Sequence, residues 1–210
     1  KKQDRENHSC RNHYKIKTAM TIRKTIINTV LPVLLAVASL CSCDKAEETY
    51  GSNYPCAFAF DTRLHPTSLL TRVMDNPGSF VRVDVRKTQG INRLSISSNN
   101  GIDTEDLPIT TDRENYRIGN VGAANSIIVG CSVFNGPCAY DSQCPNCIVT
   151  GDISGVSILL AWTRGGQAVT CGKCKRSYEL NYDGRPTETG GRPLMRYKIG
   201  YNGVEMTVYN

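Results

Sequence analysis

Residues 79–86 read Ser-Phe-Val-Arg-Val-Asp-Val-Arg, with apolar and polar side chains in alternation. A period of two predicts a β-strand with one buried face, and residues 204–209 show the same pattern. Asn202-Gly203, just before that second segment, is typical of a hairpin turn. Shorter apolar runs at 126–129 and 156–162 are bounded by Gly and Asn residues. The chain therefore predicts an all-β fold, a small antiparallel sandwich or barrel.

One short helix is predicted at residues 66–74. Leu69, Leu70, Val73 and Met74 follow a helical spacing there. Asn76-Pro77-Gly78 is expected to end this helix, because Pro and Gly interrupt regular structure. No segment after residue 76 keeps a helical period, so no further helix is predicted.

The first 42 residues differ in composition from the rest of the chain. They carry the whole formal net charge of +6, because basic and acidic residues balance after Ser42. That distribution argues against a nucleic-acid partner, whose binding requires a basic face on the folded domain. Residues 20–42 begin with Arg23 and Lys24 and continue into an apolar run at 30–40. This pattern predicts a signal peptide, since a membrane-spanning helix needs about 20 apolar residues. Residues 1–19 form an upstream segment with no assigned function, and Met20 is the favoured start.

The end of the apolar run, Leu40-Cys41-Ser42-Cys43, resembles the lipobox of bacterial lipoproteins. The resemblance implies cleavage after Ser42, lipid attachment to Cys43 and a chain held at the membrane by acyl groups. The alternative is an ordinary secretory signal, and both place the protein outside the cytoplasm. Residues 43–50 then form an acidic tether, similar to export signals that carry some lipoproteins to the cell surface, or else a solvated linker. The expected location is the cell envelope, at the outer membrane, on its periplasmic face or on the cell surface.

Four of the cysteines form two C-x-x-C motifs, Cys144 to Cys147 and Cys171 to Cys174, separated by 23 residues. Two such knuckles can supply four thiolates to one tetrahedral ion, zinc or iron. The alternative is disulfide formation, which an exported protein favours. Catalysis by a dithiol is not expected, because a redox C-x-x-C opens a helix and the residues after both knuckles predict loop or strand. Lys173, Lys175 and Arg176 either offset the charge of the thiolates or are solvated.

The second half of the chain resembles a Rieske domain. The residues that carry the resemblance are a first ligand strand at 136–141, the loop Cys144 to Cys147, and then Cys171, Cys174, Ser177, Tyr178, Gly184, Gly190, Pro193, Leu194 and Tyr197. The likeness extends over residues 78–210 and is greatest for Rieske-like lipoproteins of Bacteroidetes-type bacteria with cysteines at all four ligand places. It implies a β domain at residues 51–210 whose ligand loops are 144–147 and 171–174.

The chain departs from the Rieske pattern at the ligands. Cys147 and Cys174 stand where a Rieske centre has histidines, and His65 is the one histidine after residue 42. The first knuckle has two intervening residues, and Gly190-Gly191 replaces the family's glycine-proline step. A single zinc or iron ion therefore suits the four cysteines at least as well as a [2Fe-2S] cluster. His65 is expected to be an ordinary surface or turn histidine, and Trp162 a core residue.

Three cysteines lie outside the knuckles. Cys131 and Cys138 flank a predicted hairpin, so a disulfide between the two strands is possible, and Cys56 could pair with either. The remaining thiol is expected to be free.

Two functions remain open at the level of the sequence. The first is a lipid-anchored envelope protein whose metal ion has a structural role. The second is an electron carrier, with iron or a [2Fe-2S] cluster at the same cysteines and a redox partner in the envelope. No nucleophile, metalloprotease or phosphate-loop motif is present in the sequence, so the protein is predicted not to be an enzyme.

Overall fold

The fold is taken from a computed structural model, which describes residues 54–148 and 158–210. The predicted upstream segment, signal peptide, lipidated Cys43 and acidic tether lie outside the described residues. So do residues 149–157, which belong to the segment between the two knuckles.

The described residues form an all-β fold, as predicted. The strands are β1 Cys56–Asp61, β2 Ser79–Thr88, β3 Ile91–Ser98, β4 Thr104–Pro108, β5 Ile118–Val121, β6 Ser126–Ser132, β7 Gly136–Asp141, β8 Leu160–Thr163, β9 Ala168–Cys171, β10 Ser177–Glu179, β11 Arg185–Pro186, β12 Arg196–Tyr201 and β13 Glu205–Tyr209. The α-helices are α1 Leu69–Met74, α2 Asp112–Tyr116 and α3 Pro145–Ile148.

The larger sheet is antiparallel and has the strand order β4-β3-β2-β6-β7-β12-β13-β1-β5. It curls into a half-barrel, and the smaller sheet has the order β11-β10-β9-β8. Both alternating segments of the sequence are strands of the larger sheet, β2 and β13. The Asn202-Gly203 turn joins β12 to β13, where the Asn202 side chain accepts hydrogen bonds from the backbone of Val204 and Glu205.

Strands β6 and β7 lie at the centre of the larger sheet, and every residue of β6 is buried. One face of β6 contributes Ile127 and Val129 to a first core, which also contains the buried face of α1. The opposite face contributes Ile128 to a second core with Tyr140 and Tyr178. Gly130 lies on this second face against Phe80, where a Cβ atom would meet the phenyl ring. A central strand thus separates two hydrophobic clusters.

The second core joins the two sheets. Phe80, Ile128 and Tyr140 from the larger sheet pack with Leu160, Val169 and Tyr178 from the smaller sheet. The chain leaving β7 also pairs with β8, since the Leu160 amide donates to Ser142 and the Cys144 amide donates to Ile158. The knuckle cysteines belong to this second core.

The helix predicted at 66–74 is α1, which begins at Leu69 after the N-cap Ser68 and buries the four predicted apolar residues. The prediction of no helix beyond residue 76 is wrong at α2 and α3. Helix α2 has a signal in the sequence, the Thr-x-x-Glu pattern of Thr111 and Glu114. The Glu114 amide donates to the Thr111 hydroxyl, which in turn donates to the Glu114 carboxylate. Its five residues are too few to reveal a helical period.

Candidate metal centre

The four knuckle cysteines are brought together from two loops. Ligand loop 1, residues 144–147, follows β7 and overlaps α3, whereas ligand loop 2, residues 171–174, connects β9 to β10. All four Sγ atoms lie within 4.8 Å of one another. The Sγ atoms of Cys144 and Cys174 are 3.6 Å apart, and those of Cys147 and Cys171 are 3.7 Å apart.

These distances fit a four-thiolate site. A tetrahedral zinc ion with Zn–S bonds of about 2.3 Å separates its ligand sulfurs by about 3.8 Å. Cys144, Cys147 and Cys171 are buried, Cys174 is partly exposed, and the described cysteines form no disulfide. The four thiols can therefore hold a metal ion, and the chemistry of the donor set suits zinc or iron.

Backbone and side-chain groups donate hydrogen bonds to the sulfurs of the site. The Cys174 amide donates to the Cys171 Sγ at 3.4 Å. The Tyr178 hydroxyl lies 3.3 Å from the Cys144 Sγ and accepts a 2.8 Å hydrogen bond from the Asn146 side-chain amide. Because Asn146 donates to the hydroxyl oxygen, the hydroxyl proton is free to point at the sulfur. Tyr178 thus acts as a donor to Cys144.

Asn146 also connects the site to a third segment of the chain. Its side-chain oxygen accepts from the Arg192 amide at 3.1 Å, and its side-chain amide reaches the Arg192 carbonyl at 3.3 Å. Arg192 directly follows the Gly190-Gly191 segment noted in the sequence. The hydrogen bonds of Arg192 to Asn146 therefore hold the end of that segment beside ligand loop 1. Asn146 was not predicted as a site residue, because in the sequence it is only an intervening residue of the knuckle.

Asp141 fixes the start of ligand loop 1. It ends β7 and is fully buried. One carboxylate oxygen accepts from the Gln143 amide at 2.7 Å, and the other accepts from the Ala123 amide and from the Tyr197 hydroxyl, both at 2.7 Å. Burial raises the pKa of Asp141, and these three hydrogen bonds oppose that rise. Asp141 was not predicted as a site residue, because its partners Ala123 and Tyr197 are distant in the chain.

The thiols of the site differ in acidity. Burial and hydrogen bonds with the other three sulfurs raise the pKa of Cys147 to about 12. Partial burial also tends to raise the pKa of Cys174. Hydrogen bonds from the Arg176 backbone and from the other sulfurs outweigh this effect and lower the pKa of Cys174 to about 7. Cys174 is therefore the more acidic of these two thiols, and binding of an ion must displace protons from the site.

The expectation that neither knuckle opens a helix is wrong for ligand loop 1. Cys144 directly precedes α3, and its carbonyl accepts from the amides of Cys147 and Ile148. Pro145 occupies the first helical position, where its fixed φ favours a helix and its missing N–H is not needed. However, burial raises the pKa of Cys144, whereas a redox dithiol motif requires a lowered value.

The possible disulfide between Cys131 and Cys138 is also wrong. In the β6–β7 pairing Cys131 lies opposite Pro137, and Cys138 lies opposite Gly130. The two thiols are therefore on opposite faces of the sheet. Cys56, Cys131 and Cys138 are all free, buried thiols.

His65 and Trp162 are not part of the four-cysteine cluster and pack against the hydrophobic cores. His65 is more buried than a surface histidine, with its Nε2 2.8 Å from a Glu114 carboxylate oxygen and its ring stacked on Phe60. These contacts place His65 with first-core residues, and it does not belong to the four-cysteine cluster. Trp162 packs partly buried against the second core, consistent with the predicted core role.

No protein family, curated protein or solved structure matches this chain. The likeness to Rieske domains therefore rests on the residues of the sequence alone. What the site can do has to be argued from its own geometry.

We predict that Tyr178→Phe weakens metal binding. The variant removes the hydroxyl that donates to Cys144 and leaves the Asn146 amide without that acceptor. Loss of such an outer-shell partner lowers metal affinity by about 10- to 100-fold. Competition with a chromophoric chelator measures the affinity. Tyr182→Phe is the matched control, because Tyr182 is mostly exposed. Equal affinities for the two variants would contradict the role given to Tyr178.

We predict that Asp141→Asn destabilises the fold. The carboxamide offers one acceptor oxygen where the carboxylate offers two, so at least one of the three donors loses its partner. A buried unsatisfied donor costs about 1–3 kcal/mol. Denaturant unfolding measures the loss, with Glu188→Gln at an exposed position as the control. An unfolding free energy equal to that of the control would refute the anchoring role.

Proposed function

We propose that this protein is a lipid-anchored envelope protein that binds one metal ion through Cys144, Cys147, Cys171 and Cys174, and that the ion has a structural role. The observation that carries the proposal is the position of the four sulfurs. They come from two separate loops and lie at separations that suit a tetrahedral ion.

The geometry favours a single ion over a two-iron cluster. In a Rieske centre the ligands at the two histidine places share one iron. On that pattern Cys147 would pair with Cys174, and Cys144 with Cys171. The contacts of 3.6 Å and 3.7 Å instead join Cys144 to Cys174 and Cys147 to Cys171. Moreover, no two of the four sulfurs are more than 4.8 Å apart, which leaves little room for a core of two irons between two thiolate pairs.

A structural role follows from the ligand set and its place in the fold. Four cysteine ligands complete the tetrahedral shell of zinc, so no coordination position stays open for a substrate. Ligand loop 1 extends from the larger sheet, and ligand loop 2 belongs to the smaller sheet. An ion shared by both loops would therefore tie together the two sides of the second core, and its binding free energy would add to that of folding.

The proposed location rests on the leader sequence. The basic start, the short apolar run and the lipobox-like string support export and lipid attachment to Cys43. In the part of the chain that the structure describes, no helix is long and apolar enough to cross a membrane. The acyl groups on Cys43 would hold the domain at the membrane, with residues 43–50 as the tether.

Electron transfer is the second candidate function. The observation in its favour is that Cys174 is partly exposed while the other three ligands are buried. One edge of the site thus reaches the surface, where an envelope redox partner could approach an iron centre with the same four ligands. Four thiolates and iron would give visible charge-transfer absorption, and zinc would give none.

Metal analysis of the protein purified without oxygen tests the proposal. We expect one zinc ion per chain and no visible absorption. One or two iron atoms per chain together with visible absorption bands would contradict the structural role and support electron transfer. A protein with neither metal and with reduced thiols at all four positions would overturn both functions.

Removal of the ion is predicted to loosen the second core selectively. A free ion concentration 1,000-fold above its Kd stabilises the folded state by about 4 kcal/mol, and chelation removes this contribution. Hydrogen exchange should then accelerate in β8, β9 and β10, with little change in β2 and β3. Re-addition of the ion is the control for reversibility. Uniform acceleration throughout both sheets, or none, would contradict a local structural role.

A further inference from the structure

Sulfurs close enough to share a metal ion are also candidates for covalent pairing. Cys144 Sγ lies 3.6 Å from Cys174 Sγ, and Cys147 Sγ lies 3.7 Å from Cys171 Sγ. Each contact joins a sulfur of ligand loop 1 to a sulfur of ligand loop 2. A disulfide bond is about 2.05 Å long, so each pair must approach by about 1.6 Å when the metal no longer separates them.

We propose that these four cysteines are also an oxidation site, at which an oxidant of the peroxide class forms two disulfides between the loops, Cys144 to Cys174 and Cys147 to Cys171. The inference concerns the same cysteines as the proposed metal site. It does not require the ion, because the sulfur contacts belong to the protein itself.

The chemistry begins at the accessible sulfur. Cys174 is partly exposed, whereas Cys144, Cys147 and Cys171 are buried. The Cys174 thiolate attacks one oxygen of hydrogen peroxide, the O–O bond breaks, and a sulfenic acid and hydroxide form. The Cys144 sulfur then attacks the Cys174 sulfur, the S–S bond forms, and the sulfenic oxygen leaves as water once it is protonated.

The oxidation of each cysteine pair consumes two thiols and one peroxide, and it produces one disulfide and two water molecules. The two sulfurs lose two electrons, and the peroxide oxygens gain them. A second peroxide oxidises Cys147 and Cys171 with the same stoichiometry, and because both of these sulfurs are buried, this disulfide should form more slowly than the first. Any ion held at the site loses its four ligands as these bonds form, because a disulfide sulfur is no longer a thiolate ligand.

The pairing between loops has a structural consequence. Two disulfides between ligand loops 1 and 2 would keep the loops joined after the ion is lost. Disulfides within each C-x-x-C would instead leave the loops joined by noncovalent contacts alone, such as the contact between Tyr178 and Cys144. The oxidised protein should therefore resist heat better than the metal-free, reduced protein.

Peptide mapping of the intact protein tests the pairing. The protein is purified without oxygen, its metal content is measured, and it is treated with hydrogen peroxide. Remaining thiols are then blocked with an alkylating reagent. Trypsin cleaves after Lys173, between Cys171 and Cys174, and releases the short peptides 165–173 and 174–175. Both partners from ligand loop 1 lie in the peptide 118–164.

The two pairings give different products. We expect both short peptides to be disulfide-linked to 118–164, and fragmentation of the linked species to assign Cys174 to Cys144 and Cys171 to Cys147. A direct disulfide between peptides 165–173 and 174–175 would overturn the inference. Blocked thiols at all four positions, or pairing with Cys131 or Cys138 in the same long peptide, would also overturn it.

Paired variants give a second readout that does not depend on fragmentation. Cys147→Ser/Cys171→Ser retains the contacting pair Cys144 and Cys174. Cys147→Ser/Cys174→Ser is matched in composition and retains Cys144 and Cys171. The first variant should form its disulfide several-fold faster, and equal rates would count against the proposed pairing.

The metal measurement separates this inference from the proposed function. A chain without bound metal that still forms the disulfides between the loops would refute the metal site and leave the oxidation site standing. A chain that binds one ion per molecule but forms its disulfides within each knuckle would support the metal site and refute the proposed oxidation pairing.

Discussion

Burial of the β6–β7 hairpin on both faces is the constraint on which this fold depends. In antiparallel sheets one face commonly meets solvent, but here alternate residues of β6 and β7 enter two different cores. A shift of β6 by one residue against both of its neighbours, β2 and β7, would exchange the two sets of side chains. Gly130 would then no longer be the residue opposite Phe80, where the space admits no Cβ atom. The register of this hairpin therefore determines both cores together.

The same hairpin positions the four-cysteine site. Tyr140 enters the second core, and Asp141, next along β7, points to the opposite face and accepts from Tyr197 and Ala123. Its third hydrogen bond, from the Gln143 amide, sets the direction in which the chain leaves the sheet. Ligand loop 1 begins at the following residue. The position of Cys144 thus follows from the pairing of β7 and from one buried carboxylate.

The sequence predicts those elements whose side chains repeat with a clear period. Strand β2 alternates from Val81 onward and β13 alternates throughout, because in each the buried side chains of that stretch face the first core, whereas Phe80 of β2 enters the second core. Helix α1 shows a helical spacing because it covers the first core. Strand β6 has a different character, since burial of both faces removes any alternation and leaves only a short apolar run. The two knuckles identify the four sulfurs, because metal ligands are spaced by local turns. Asp141 and Asn146 could not be identified in this way, because their partners Tyr197 and Arg192 are distant in the chain.

The charge of the site gives a reason for the unequal exposure of its ligands. Four thiolates around a divalent ion carry a net charge of minus two, and a buried charge is costly unless hydrogen bonds or water stabilise it. Tyr178 donates to Cys144, the Cys174 amide donates to Cys171, and the partly exposed Cys174 can be hydrated. An iron centre with the same four thiolates would alternate between charges of minus one and minus two, so its surroundings in the second core would have to stabilise two charge states. A zinc ion would keep a single charge, and a fixed set of hydrogen bonds together with one hydrated ligand is enough to stabilise that charge.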